Sequence, residues 1–248
     1  MIMKSFLTAL QFLTRIHIKN QDLAVEDYGR STKFFPLVGT VLGIIYTAIG
    51  WLLIETLDHI ALVTTLMLLM PVLFTGGLLL DGFMDTVDGV FSGRSRERQL
   101  EIMKDSRVGS FGVIALLFLT LLNWSILHDI ATQFILPALF LMPIIGRMAM
   151  VLVIASFPYA RKEGMGKIFA AMADKNTVCI AVIITLLCVL PFGYAGIAAL
   201  AAGLVFAYIL GSWLTKKLGG LTGDTYGAIE TLTETIVLLV FFILPFIF

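Results

Sequence analysis

Charge is scarce in this chain: of 248 residues only 14% are Asp, Glu, Lys or Arg, while 59% are hydrophobic and the mean hydropathy is +0.99. No ordinary soluble domain reaches that balance, so the composition is that of a membrane protein. Cysteine is nearly missing. Cys179 and Cys188 stand nine residues apart in one apolar stretch, on opposite sides of a helix, so they cannot pair within it. Metal-ligand spacing is lacking too, and packing is their ordinary role. Nor does the chain open on a cleavable secretory pattern, because residues 2 to 18 mix Lys4, Gln11, Arg15 and His17 into the apolar sequence. Instead Met3, Phe6, Leu7, Leu10 and Leu13 recur at helical spacing, which predicts an amphipathic helix lying in the membrane interface with the N-terminus in the cytoplasm. A net charge of zero says little, since a membrane protein sorts its charges by side. No nucleic-acid partner is expected.

What the chain has is long apolar runs. A crossing of the hydrocarbon core needs ~20 mostly apolar residues. Candidates lie at 34 to 54, 60 to 80, 109 to 127, 134 to 156, 177 to 192, 195 to 214 and 229 to 247, the fifth being the shortest. The connections "ETLDH", "HDIATQ" and "PFGYAG" contain no Lys or Arg, whereas the N-terminal segment and the longer polar connections hold 16 of the 17 basic residues. By the positive-inside rule the long connections are cytoplasmic, the N-terminus is inside and the C-terminus outside. The expected fold is an all-α polytopic integral membrane bundle of about seven transmembrane helices preceded by an amphipathic helix, one domain over 1–248, in the cytoplasmic (cell inner) membrane. The seventeenth basic residue, Arg147 in "PIIGRMAM", falls inside the fourth span, where a cation is costly unless it pairs or lines a cavity. The bland alternative is snorkelling to the interface.

Where the second span runs out, "GGLLLDGFMDTVDGVFSG" places Asp81, Asp85 and Asp88 at i, i+4, i+7. If the helix continues, the three carboxylates fall within about 60° of one another. Three like charges on one stripe repel, and a hard divalent cation removes that cost; carboxylate oxygen with water is the ligand set of Mg²⁺, which brings substrate phosphates with it. The alternative is a solvated helix end pairing with Arg94, Arg96 and Arg98, but exposed pairs gain little and do not require one-sided stacking. Downstream, "SRERQLEIMKDSRVGSFG" adds Lys104, Asp105 and Arg107: a further ligand or base, and two cations for phosphate oxygens. A second polar cluster, "GGLTGDTYGAIETLTE" from 219 to 234, lies on the same side, and glycines such as Gly223 allow close backbone approach to an anion. "GGLLLD" and "GGLTGD" share GGLxxD, a hint of an internal repeat too short to stand alone. Together these features fit Mg²⁺-assisted transfer at a phosphodiester or diphosphate on a cytoplasmic catalytic face.

The stretch "GGLLLDGFMDTVDGVFSGRSRERQLEIMKDSRVGSFGVIAL" resembles the signature of the cobalamin synthase family, the adenosylcobinamide-GDP ribazoletransferases. "FLTR" at 12 to 15, "FFPLVG" at 34 to 39, "YARKEGMG" at 159 to 166 and "GGLTGDTYGA" at 219 to 228 extend the likeness over nearly the whole chain. The resemblance implies an integral membrane enzyme that joins adenosylcobinamide-GDP to α-ribazole or its 5′-phosphate and releases GMP, with Mg²⁺ as cofactor. It matches Asp81, Asp85 and Asp88 to the family's aspartate motif, Asp105 to its "DSR" segment and Asp224 to its "TGD" segment. Two positions depart: His17 stands where Pro is common, and Thr231 stands where a Glu is expected, with Glu230 one residue early. Because one residue is a rotation of about 100° on a helix, Glu234, which keeps its register, is the better candidate.

On this reading Asp81, Asp85 and Asp88 hold Mg²⁺ against the diphosphate. Lys104, Arg107 and Arg147, with Gly223, Asp224 and Glu234, bind phosphate and substrate, and Asp88 or Asp105 takes the proton of the attacking ribose hydroxyl. Spacing alone does not separate ligand from base, and homo-oligomerisation is left open. Three rivals remain. A CDP-alcohol phosphotransferase needs an Ala-Arg pair where Met84 and Asp85 stand. A polyprenyl transferase would release pyrophosphate. A transporter would carry its acids to the bilayer midplane, whereas these cluster at one edge.

Overall fold

The computed structural model describes residues 2–16, 18 and 24–244; the His17 departure lies outside them. The described residues are nearly all helical: α1 (Ile2–Leu13), α2 (Val25–Ser31), α3 (Phe35–Thr56), α4 (Ile60–Thr75), α5 (Leu78–Phe91), α6 (Arg96–Ile102), α7 (Ser110–Asp129), α8 (Thr132–Ser156), α9 (Met165–Met172), α10 (Lys175–Val189), α11 (Gly193–Leu218) and α12 (Gly223–Ile243). Every apolar run expected to cross the membrane carries a helix. By length and composition, five stretches among the described residues suffice for a crossing, or six if α4 and α5 count as one bent span. One of those stretches, Lys175–Leu218, is 44 residues long and contains both α10 and α11. The chain reverses between them. α10 starts beside the turn that leads into α3 and ends against Leu136 and Phe140 near the start of α8. α11 then returns along α8, its Gly203 on Ile145 and its Gly211 on Val153 and Phe157.

α8 is the central helix, most of it buried, and packs chiefly against α3 and α12. Helices in a bilayer associate through close packing rather than through a hydrophobic drive, so small residues mark their interfaces. On α3, Gly39 and Gly43 form such a spacing. A Cβ at Gly39 would collide with the Pro143 carbonyl and one at Gly43 with the Phe140 carbonyl, so α3 lies backbone to backbone on α8. On α11 the buried stripe Ala199, Gly203, Ala207 and Gly211 plays the same part. Gly43→Leu is therefore expected to cost about 1–3 kcal/mol or more by overpacking, read as a lower melting temperature in detergent.

Two expectations are corrected in detail. α1 is amphipathic, but it docks on the bundle rather than only lying in the interface: Ala9, Leu10 and Leu13 are buried while Ile2 and Met3 are exposed. Phe12 packs on Phe169 of α9 with ring centroids 5.0 Å apart. The second span also does not run straight into the Asp stripe. Gly76 and Gly77 adopt left-handed φ of 68° and 75°, conformations that glycine adopts without Cβ strain, and α5 leaves α4 at 93°. The stripe stays on one helix, but on α5, whose direction α4 does not set.

Candidate active site

Both GGLxxD segments build the same local device: a helix ends, a glycine pair takes positive φ, and a new helix begins with the aspartate in its first turn. The first places Asp81 on α5 and the second Asp224 on α12. The two new helices then pack antiparallel through glycine. A Cβ at Gly82 would lie 2.8 Å from the Asp224 carbonyl oxygen, and one at Gly227 would lie 3.0 Å from the Leu79 carbonyl oxygen. Only residues without side chains permit this approach, and it brings the acids of the two segments together. Asp85 is half-buried with Asp81, Asp224 and Asp88 all within electrostatic reach, and with Arg161 as the nearby cation.

Arg161 arrives from a connection remote in sequence. Pro158 disfavours helix in the residue before it, and Phe157 is extended accordingly, at φ −123° and ψ 148°. The following residues run alongside the segment before α12. The Leu221 amide donates to the Pro158 carbonyl and the Ala160 amide to the Leu221 carbonyl, each at 2.8 Å. That strap sets Arg161 Nη2 2.8 Å from Asp224 Oδ2. Thr222 caps α12 by accepting from the Thr225 amide at 3.2 Å, and its hydroxyl donates to Asp224 Oδ2 at 3.3 Å. Tyr159 interacts with Arg161 and the Gly223 backbone, and burial raises its phenol above the ordinary range. Gly223 itself is exposed, with open space where a Cβ would stand. The motif "YARKEGMG" by itself assigns Arg161 no role; the signal for one is an arginine just past a proline-terminated span.

Asp88 serves a different purpose from its neighbours on the stripe. Its Oδ2 accepts the Gly109 amide and its Oδ1 the Gly112 amide, both at 2.8 Å, so it caps the N-terminus of α7 from α5. A Cβ at either glycine would collide with that carboxylate. Asp88→Ala is expected to lower stability by roughly 2 kcal/mol by leaving amides unpartnered. Asp81→Ala, at an exposed position, should stay within about 0.5 kcal/mol of the parent in the same thermal melt.

The expected phosphate-binding cations divide. Lys104 is exposed. Asp105 and Arg107 engage one another, Arg107 Nη2 donating to Asp105 Oδ2 at 2.7 Å. The hydrogen bonds from Arg107 hold the Asp105 carboxyl down at about 2, which makes it a weak proton acceptor. Arg147 is buried, 1% exposed, and its Nη1 donates to Glu230 Oε1 at 2.6 Å, Glu234 Oε1 at 2.8 Å and the Pro143 carbonyl at 3.0 Å. It is thus committed to α12 rather than placed among the cations of the long polar connections. Glu230 and Glu234 are one turn apart on one face, so both reach it despite the shifted register of Glu230.

Among the described residues no group of three or more His, Cys, Asp or Glu encloses a metal-sized space. Both oxygens of Asp88 accept amide hydrogens and Asp224 is paired with Arg161, leaving Asp81 and Asp85, one turn apart, as the carboxylates of the cluster most open to a cation. Mg²⁺ takes one or two carboxylates and completes its shell with water and phosphate, so this donor pair fits it.

Comparison with known proteins identifies the family. The family described as cobalamin-5-phosphate synthase matches residues 5–242. A protein of Desulforamulus reducens named adenosylcobinamide-GDP ribazoletransferase is 39% identical over 233 residues, 92% of this chain and 91% of the relative. Proteins of the same name from Clostridium acetobutylicum and Escherichia coli are 37% and 38% identical, covering 93% and 95% of this chain and 92% and 98% of their own. No solved structure matches significantly. A match over nearly the full length, which spans both GGLxxD segments and the 158–161 strap, means that the chain belongs to the cobalamin-5-phosphate synthase family.

Proposed function

We propose that this chain is an adenosylcobinamide-GDP ribazoletransferase of the cell inner membrane, with its site on the cytoplasmic face, joining adenosylcobinamide-GDP to α-ribazole or its 5′-phosphate and releasing GMP. The observation that carries the reading is the meeting of α5, α12 and the 158–161 strap, which gathers Asp81, Asp85, Asp224 and Arg161 at one end of the bundle. Asp81 and Asp85 are the residues that would hold Mg²⁺, which when bound neutralises charge on the diphosphate oxygens. Arg161, set by Asp224 beside the open backbone of Gly223, faces the phosphate that becomes the new diester.

The ribose hydroxyl oxygen of the acceptor attacks the cobinamide-proximal phosphorus. The bond from that phosphorus to the bridging oxygen breaks, and GMP leaves with the oxygen. The hydroxyl proton passes to Asp85, which stands among the negative charges of Asp81, Asp224 and Asp88. Asp88 and Asp105 do not take this role, since one caps α7 with both oxygens and the other is held by Arg107. Lys104 and Arg107, on the same polar side, attract the anionic substrate at longer range.

Arg161→Gln tests the assignment. It is expected to raise KM for adenosylcobinamide-GDP and lower kcat by about 100-fold together, while KM for α-ribazole changes little. An unchanged kcat/KM for the diphosphate substrate would remove Arg161 from the site.

A further inference from the structure

A cavity of about 660 Å³ opens beside Asp81 and runs between α4, α5 and α7 to the buried Arg147–Glu230–Glu234 cluster. It follows α4 from Thr75 to Thr65, a rise of about 15 Å. The walls are largely apolar, with Leu68, Val72, Leu79, Met84, Leu116 and Leu119 among them. Two buried polar atoms of the lining have no hydrogen-bond partner among the described residues: Arg147 Nε, on a side chain 1% exposed, and Asn123 Oδ1. A buried donor without a partner costs free energy, so an orphan on a residue that lines an apolar cavity points to a ligand that brings the missing acceptor.

We infer that this cavity is the subsite for the apolar base of the acceptor nucleoside, a substituted benzimidazole whose ribose lies at the Asp81 end. The inference rests on the ribazole-transfer reading. A cavity of 660 Å³ is the size that encloses a small-molecule ligand. The other parts of the substrates do not suit it. Guanine would press much of its hydrogen-bonding edge against leucines, the diphosphate would meet Asp81, Glu230 and Glu234 in the same lining, and a corrin ring with its side-chain amides is too large and too polar. A dimethylbenzimidazole is bicyclic and uncharged, and its methyl groups suit the leucine wall. Its one free ring nitrogen is an acceptor for the Arg147 Nε–H. Trp124, which also lines the cavity, offers an indole face and is itself held by a 3.2 Å hydrogen bond to Thr65. Because Asp81 edges the cavity, a base seated there puts its ribose hydroxyls beside the carboxylates that face the diphosphate.

The test narrows the cavity from its lipid-facing side. In Thr120→Phe and Leu116→Trp, KM for α-ribazole is expected to rise about tenfold or more while KM for adenosylcobinamide-GDP stays within about twofold. Replacing the acceptor with unsubstituted benzimidazole riboside should recover most of the loss, which a merely misfolded variant would not show. In a protein carrying Trp51→Phe and Trp213→Phe, α-ribazole alone should quench Trp124 fluorescence. If the parent releases GMP but neither variant shifts the α-ribazole KM and Trp124 does not respond, the cavity is lipid-filled space and the inference fails while the ribazole-transfer reading stands. If Trp124 responds to α-ribazole but no GMP is released from adenosylcobinamide-GDP, the subsite stands and the reaction assignment fails.

Discussion

Asp85→Asn should reduce GMP release by about 1,000-fold or more while the protein stays folded and membrane-inserted. The substitution keeps the size of the side chain and removes one charge from a cluster that already contains Asp81, Asp224 and Asp88. Removing a negative charge from such a cluster relieves repulsion, so the folded protein should melt no lower than the parent. Activity and stability are thus predicted to move independently. Isothermal titration with Mg²⁺ in the presence of adenosylcobinamide-GDP should lose its signal in the same variant. Retained turnover, or a collapse of folding that explains the lost turnover, would contradict the assignment of Asp85 to the reacting centre.

The second large effect is on stability. Arg147→Met is expected to cost about 3–5 kcal/mol, because Glu230 and Glu234 would then be buried beside each other without a cation. Their side chains are 1% and 14% exposed, so solvent offers little compensation. Combining Arg147→Met with Glu230→Gln and Glu234→Gln should recover most of that loss, since no uncompensated charge remains. Melting temperatures of the single and triple variants in one detergent decide the matter: equal values for the single variant and the parent would mean that the cluster is not formed in the folded bundle.

Apolar length located the helices, and the period of 3.6 residues placed the three aspartates on one side of α5. Arg147 stood out because a cation in an apolar span demands a partner. Its partners were less visible: the shift of Glu230 counted against it, yet i, i+4 spacing puts Glu230 and Glu234 on one face of α12. What local pattern could not show is how segments far apart in the chain meet. Asp88 looks like its stripe-mates until α7 is seen to deliver two glycine amides to it. Arg161 joins Asp224 only because an extended strap pairs residues 158 to 160 with Leu221. The repeated GGLxxD was too short to interpret as sequence. In the fold it marks two glycine-broken helices whose antiparallel contact brings Asp81 and Asp224 to one cluster.

Asp81, Asp85, Asp224 and Arg161 are proposed to form a site for nucleotide-loop closure rather than for prenyl transfer or transport. Its most direct test is to incubate the purified protein with adenosylcobinamide-GDP, α-ribazole and Mg²⁺ and to identify the products. The account predicts GMP and adenosylcobalamin in equal amounts, with none formed when Mg²⁺ is chelated. Release of pyrophosphate, or movement of substrate into proteoliposomes without chemical change, would contradict it.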